Sequence, residues 1–139
     1  MTESASGRSR PAGQTTGSAE RPAQQVSGPL LTFDLNQEAE RLRHEDAWLK
    51  GDHNAKTLVK GAEERVVLVV LKAGAHLAPH HAPSAFTVQV LAGQIEFSAA
   101  GQVVQLHPGS LLALESGLTH AVTANAESTF LLTLGAVTE

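Results

Sequence analysis

Apolar residues recur along the chain with two periods, and the change between them falls near residue 50. In FDLNQEAERLRHEDAW, residues 33–48, Leu35, Ala39 and Leu42 fall at i, i+4 and i+7, while Glu38, Glu40, Arg41 and Arg43 fill the other positions. That spacing predicts a short amphipathic helix over about 35–44, laid on the outside of the core with its charges solvated. Asp34 or Asn36 supplies the N-cap, and Gln37 stands three residues after Asp34, as in a capping box.

Downstream the period becomes two. Short apolar or alternating runs occupy 57–59, 65–72, 85–91, 94–99, 102–106, 110–114, 119–124 and 128–134, separated by glycines, prolines and Asn125. About eight short strands with turn residues between them predict an all-β sandwich or barrel over about 57–134. No segment has the length or period of a crossover helix, which argues against a parallel α/β fold. Within AFTVQVL, alternation sets Phe86, Val88 and Val90 on one face and Thr87, Gln89 and Leu91 on the other. The run RVVLVVLK, residues 65–72, is too apolar to be left bare, so it is an interior strand or is buried against a partner.

Residues 1–28 carry neither period. They are rich in Ser, Thr, Gly, Pro, Gln and Ala, with Val26 the one β-branched aliphatic residue and no aromatic. Such a segment buries too little apolar area to offset its ordering entropy and is expected to be a disordered tail. Arg8, Arg10 and Arg21 against Glu3 and Glu20 leave it nearly neutral, which argues against a nucleic-acid arm. The remainder, 29–139, suits one domain, and a hydrophobic content of 42% in 139 residues allows a packed core.

The net charge of −4 gives no electrostatic footprint for nucleic acid or for an anionic membrane surface. No run is long enough to span a bilayer, and residues 1–27 contain no secretory apolar stretch, so a cytoplasmic protein is the expectation. The absence of cysteine excludes disulfides, thiolate ligands and a cysteine nucleophile.

Candidate chemistry concentrates in GAHLAPHHAPSAF, residues 74–86, which sets His76, His80 and His81 within six residues. A divalent metal takes three or four nitrogen or oxygen donors. If His80 points inward, alternation turns His81 outward; His76 shares the parity of His80, although Leu77 competes with it for burial. Phe86 and Val88 would line an apolar pocket or simply fill the core. Glu115, five residues before His120, is a candidate base or a solvated turn carboxylate. Ser84, Ser110 and Ser116 have no spacing that selects a nucleophile, and His44, His53 and His107 fall in helix or loop positions without a site role.

Two stretches resemble the motifs of the cupins. In GAHLAPHHAPSAFTVQVLAGQIEF, Gly74, His80 and Gly93 stand where the first cupin motif has Gly, His and Gly. In GSLLALESGLTHAVTA, Gly109, Gly117 and His120 match the second. The resemblance covers about residues 57–134 and implies a small jelly-roll barrel, a pairing into homodimers, and a metal held by two motif histidines, a glutamate and a third histidine. Carried onto this chain, those four positions are His80, Ala82, Phe86 and His120, so two of the four cannot coordinate. Glu115 and Ala124 replace the usual Pro and Asn of the second motif.

The expectation is therefore a small cupin-like protein that binds an unidentified small molecule in its barrel, through His80, Phe86, Val88 and His120. A weak site for one divalent metal (Fe, Mn, Ni, Cu or Zn) on His80 and His120 needs His81 or His76 to swing in. The alternatives are a metal-dependent enzyme of dioxygenase, isomerase or decarboxylase type, and a dimerising interaction module.

Overall fold

The computed structural model describes residue 21 and residues 24–136. Two short helices, α1 (Leu35–Leu42) and α2 (Asp46–Lys50), precede the strands β1 (His53–Lys60), β2 (Glu64–Leu71), β3 (His76–His80), β4 (Phe86–Ala92), β5 (Ile95–Ala99), β6 (Gln102–Leu106), β7 (Leu111–Leu114), β8 (His120–Ala124) and β9 (Ser128–Gly135). One sheet has the order β1-β2-β9-β4-β7 and the other β3-β8-β5-β6. The pairs β2–β9, β3–β8, β4–β7 and β5–β6 are all antiparallel and nested one inside the next. A long hairpin wrapped on itself gives that nesting, and the fold is the all-β jelly roll expected from the pattern and the resemblance.

Strand β3 has no counterpart among the eight runs, because HLAPH has a proline and no alternation. Its register against β8 shifts between Leu77↔Val122 and His80↔His120, so an extra residue is accommodated around Ala78 and Pro79. Strand β1 also starts earlier than the reading at 57, at His53.

Between the sheets Phe86, Val88 and Val90 are buried as their alternation requires, together with Val67, Val69, Leu71, Phe97 and Phe130. A second cluster lies on the outer side of the larger sheet, where Ala39, Leu42 and Trp48 cover Leu58, Leu68 and Val70. Strand β2 is thus buried on both faces, which accounts for the unbroken apolar run without a partner chain.

Helix α1 begins where Asp34 accepts a hydrogen bond from the Gln37 backbone N–H at 3.1 Å. Its charged residues are not all solvated, and here the structure corrects the sequence reading. Glu38 is buried, and its Oε1 accepts from Lys56 Nζ at 2.7 Å. The reason is helical geometry: Glu38 lies three residues after Leu35 and four before Leu42, on the same face as both.

Only part of the segment 1–28, expected from sequence to be a tail, is described. Residues 1–20, 22 and 23 lie outside the described residues. Arg21, however, forms a two-point ion pair with Glu45 at 2.9 and 2.7 Å, and Lys60 N–H donates to the Val26 carbonyl at 2.8 Å.

One close approach fixes the β4–β5 turn. Gly93 has φ +83°, and a Cβ there would collide with the Glu127 carbonyl oxygen and with Ser128. Ser128 Oγ both accepts from the Gln94 N–H at 3.0 Å and donates at that turn, so only glycine fits.

Candidate functional site

The two sheets enclose a cavity of about 480 Å³. Twelve of its eighteen lining residues are apolar; the other six are His53, Thr57, Arg65, His76, His80 and His120. No Asp or Glu lines it. The walls are thus apolar with a few convergent polar groups.

His80 and His120 face each other across the β3–β8 pair, with ring centroids 4.2 Å apart and planes at 60°. His120 is buried; it stacks on Phe97 at 5.6 Å and meets the edge of Phe86 at 4.9 Å. His80 lies toward solvent. Each ring uses Nδ1 on a carbonyl two residues back in its own strand or turn: His80 on Ala78 and His120 on Leu118, both at 3.1 Å. A carbonyl only accepts, so both Nδ1 atoms carry the proton, and in the neutral rings Nε2 is left as an acceptor. Burial holds the His120 pKa below the ordinary imidazole value; the Leu118 carbonyl opposes this, and the charges of His80 and His81 add to it. His120 is therefore a neutral imidazole with an open lone pair, able to accept a hydrogen bond or a proton from a bound molecule.

The four residues named from sequence for the barrel pocket, His80, Phe86, Val88 and His120, all line this cavity. His81 is exposed and lines none of it. His76 lines it, but its Nδ1 bonds Thr123 Oγ1 at 2.9 Å. Among the described residues, no three His, Cys, Asp or Glu side chains are grouped to hold a metal. The third donor required from His81 or His76 is not delivered, and Ala82 and Phe86 supply none. The residues present do not fit the four-donor metal that the resemblance implies.

Three lining residues escaped the sequence reading. His53 does not fall in a loop, as its position suggests, but opens β1 and bonds Asp52 through Nδ1 at 2.8 Å. That contact draws the Asp52 pKa below the usual carboxylate value. Arg65 shares a face with Val67 and Val69, so alternation along β2 carries the signal that it points inward. Thr57 is opposite Val67 on β1, and its Oγ1 is buried with no hydrogen-bond partner among the described residues. Glu115 is exposed, and neither it nor any serine lines the cavity.

No family model and no curated protein sequence matches the chain. Solved structures do. A cupin 2 conserved barrel domain protein from Leptotrichia buccalis is 28% identical with a TM-score of 0.61, over 70% of this chain and 45% of that one. An RmlC-like cupin from Shewanella frigidimarina is 17% identical with a TM-score of 0.59, over 64% and 80%. A variant of oxalate decarboxylase from Bacillus subtilis is 20% identical with a TM-score of 0.58, over 62% and 26%. The nested strand pairs, the two-sheet barrel and these likenesses agree, and the chain has the cupin fold.

Proposed function

We propose that the protein binds a small molecule with a largely apolar body inside the barrel, held at one pole by the Nε2 atoms of His80 and His120. The observation that carries this reading is the pairing of an apolar cavity with two imidazoles whose Nδ1 atoms are already engaged. A group that donates, such as a hydroxyl or an N–H, complements them. The likeness to an oxalate decarboxylase extends to the fold and names no reaction for this chain.

The test is a thermal-shift and ligand-observed NMR screen of small amphipathic molecules against the full chain and an Ala78→Trp variant. Ala78 lines the cavity yet is exposed, so a larger side chain there obstructs the pocket without overfilling the core. Binders lost in Ala78→Trp, and weakened about tenfold in His120→Gln, support the reading. Binders indifferent to both variants overturn it. Metal analysis of the same samples after incubation with Fe, Mn, Ni, Cu and Zn is the second arm. A stoichiometric metal lost in both His80→Ala and His120→Ala would replace this reading with that of a metalloprotein.

A further inference from the structure

The polar groups of the cavity divide between its two walls. His76, His80 and His120 come from β3 and β8 of the smaller sheet, and His53, Thr57 and Arg65 from β1 and β2 of the larger. Every ionisable side chain among them is a base. Arg65 makes no ion pair or side-chain hydrogen bond among the described residues, and its sequence neighbours Glu63 and Glu64 are exposed and line none of the cavity.

A second cation stands beside it. Lys60 is directly opposite Arg65 in the β1–β2 register, and directly opposed residues share a face. The register shift between Thr57 and Val59 is what brings it there: Leu58 and Val59 both pack in the cluster outside the sheet, so Thr57 and Lys60 both fall on the inner side. Like charges directly opposed are destabilising when nothing lies between them, and Lys60 too has no ion-pair partner among the described residues. Arg65 in the cavity wall and the exposed Lys60 beside it, neither neutralised among the described residues and next to a pocket lined by no acid, are complementary to an anion.

From this juxtaposition we infer that the pocket's ligand is a small organic carboxylate, its charged group taken by Arg65 with Lys60 nearby and its apolar body lying along the Val67, Leu132 and Leu134 wall. The inference rests on the small-molecule reading above and names the class of molecule. A single planar guanidinium matches a carboxylate in two-point geometry, whereas a phosphate is usually cradled by several backbone N–H groups, which β2 does not offer. Arg65 pairs across the sheet with Leu134, and Leu134 with Phe86, whose ring meets His120. Arg65 and the histidine pair therefore sit toward the same end of the barrel, the backbones of Arg65 and Phe86 being roughly 10 Å apart across the larger sheet, from two strand spacings. The ligand has a carboxylate at one pole and a hydrogen-bond donor at the other, a hydroxy acid being the simplest form.

The experiment titrates the full chain with 4-hydroxybenzoate and 3-(4-hydroxyphenyl)propionate and with the methyl ester of each, by calorimetry or saturation-transfer NMR. The acids are expected to bind at least about tenfold more tightly than their esters, and Arg65→Gln to erase that preference. Rising salt weakens the acids alone, and Arg65→Lys, which keeps the charge but not the fork, retains part of the preference. Esters that equal the acids in the wild type, with binding still lost in Ala78→Trp, overturn the carboxylate inference and leave the small-molecule reading standing. Acids whose binding survives Ala78→Trp show a site elsewhere, and absence of binding by acids and esters alike counts against the inference as well.

Discussion

His120 illustrates how one residue reads differently in sequence and in space. Its motif position marks it as a ligand candidate, but its rings of contact, Phe97, Phe86 and His80, show an imidazole kept neutral by burial. The sign of the consequence follows. Its folded pKa lies below the unfolded value of about 6.5, so the unfolded chain binds the proton first as pH falls. Stability from this group is complete above about pH 6.5 and declines as pH drops through the folded value. Urea midpoints at about pH 7.5 and about pH 5 are expected to be lower at the acid pH, with the difference reduced in His120→Gln. Asp52 adds nothing in that window. Its lowered pKa yields stability present above 3.8 and lost only as pH falls through its folded value, below that figure. Equal pH dependence in the wild type and His120→Gln would exclude His120 as the source.

At the scale of elements, the surface helix is more deeply tied to the barrel than its charges suggest. Glu38 and Lys56 are 7% and 8% exposed as side chains and bond each other at 2.7 Å beneath α1. Asn54, wholly buried, donates to the Leu42 carbonyl at 3.0 Å, where α1 ends and its last carbonyls need a donor. Removing one member of a buried ion pair leaves the other desolvated and without its countercharge. Glu38→Ala is therefore expected to cost about 3 kcal/mol in chemical denaturation, while the double change Glu38→Leu with Lys56→Met falls within about 1 kcal/mol of the wild type. Equal losses in the single and double variants would show that charge pairing is not the cause. Much of this level was legible in advance: the N-cap at Asp34, the inward faces of Ala39 and Leu42, and the alternation of β4 all follow from local spacing. The burial of Glu38 was not, because a carboxylate on the apolar stripe reads as solvated until Lys56 is brought under it from another element.

For the whole molecule, the segment before the helices acts as a strap across β1. Arg21 reaches Glu45 and also donates to the Ala55 carbonyl at 3.2 Å, Gln24 bonds Lys56, and Val26 accepts from Lys60 N–H. A chain starting at Pro29 is expected to lose about 3 kcal/mol in urea unfolding, with Arg21→Ala alone accounting for about half of it. No loss in either would mean that these contacts do not hold in solution.

Local pattern by itself determined the change of period near residue 50, the β class, the capped helix and the inward row of Phe86, Val88 and Val90, since periodicity and capping are properties of neighbouring residues. The likeness of two short motifs added the barrel and the gaps at Ala82 and Phe86. Only the tertiary structure decided which sheet each strand joins, that HLAPH pairs as β3, and that Arg65 and His53 share a cavity with His80 and His120. These depend on pairings between residues tens of positions apart and on register shifts in β1 and β3 that reassign the inner face. A one-residue shift of that kind leaves no mark on local composition, yet it selects which side chains a bound molecule would meet.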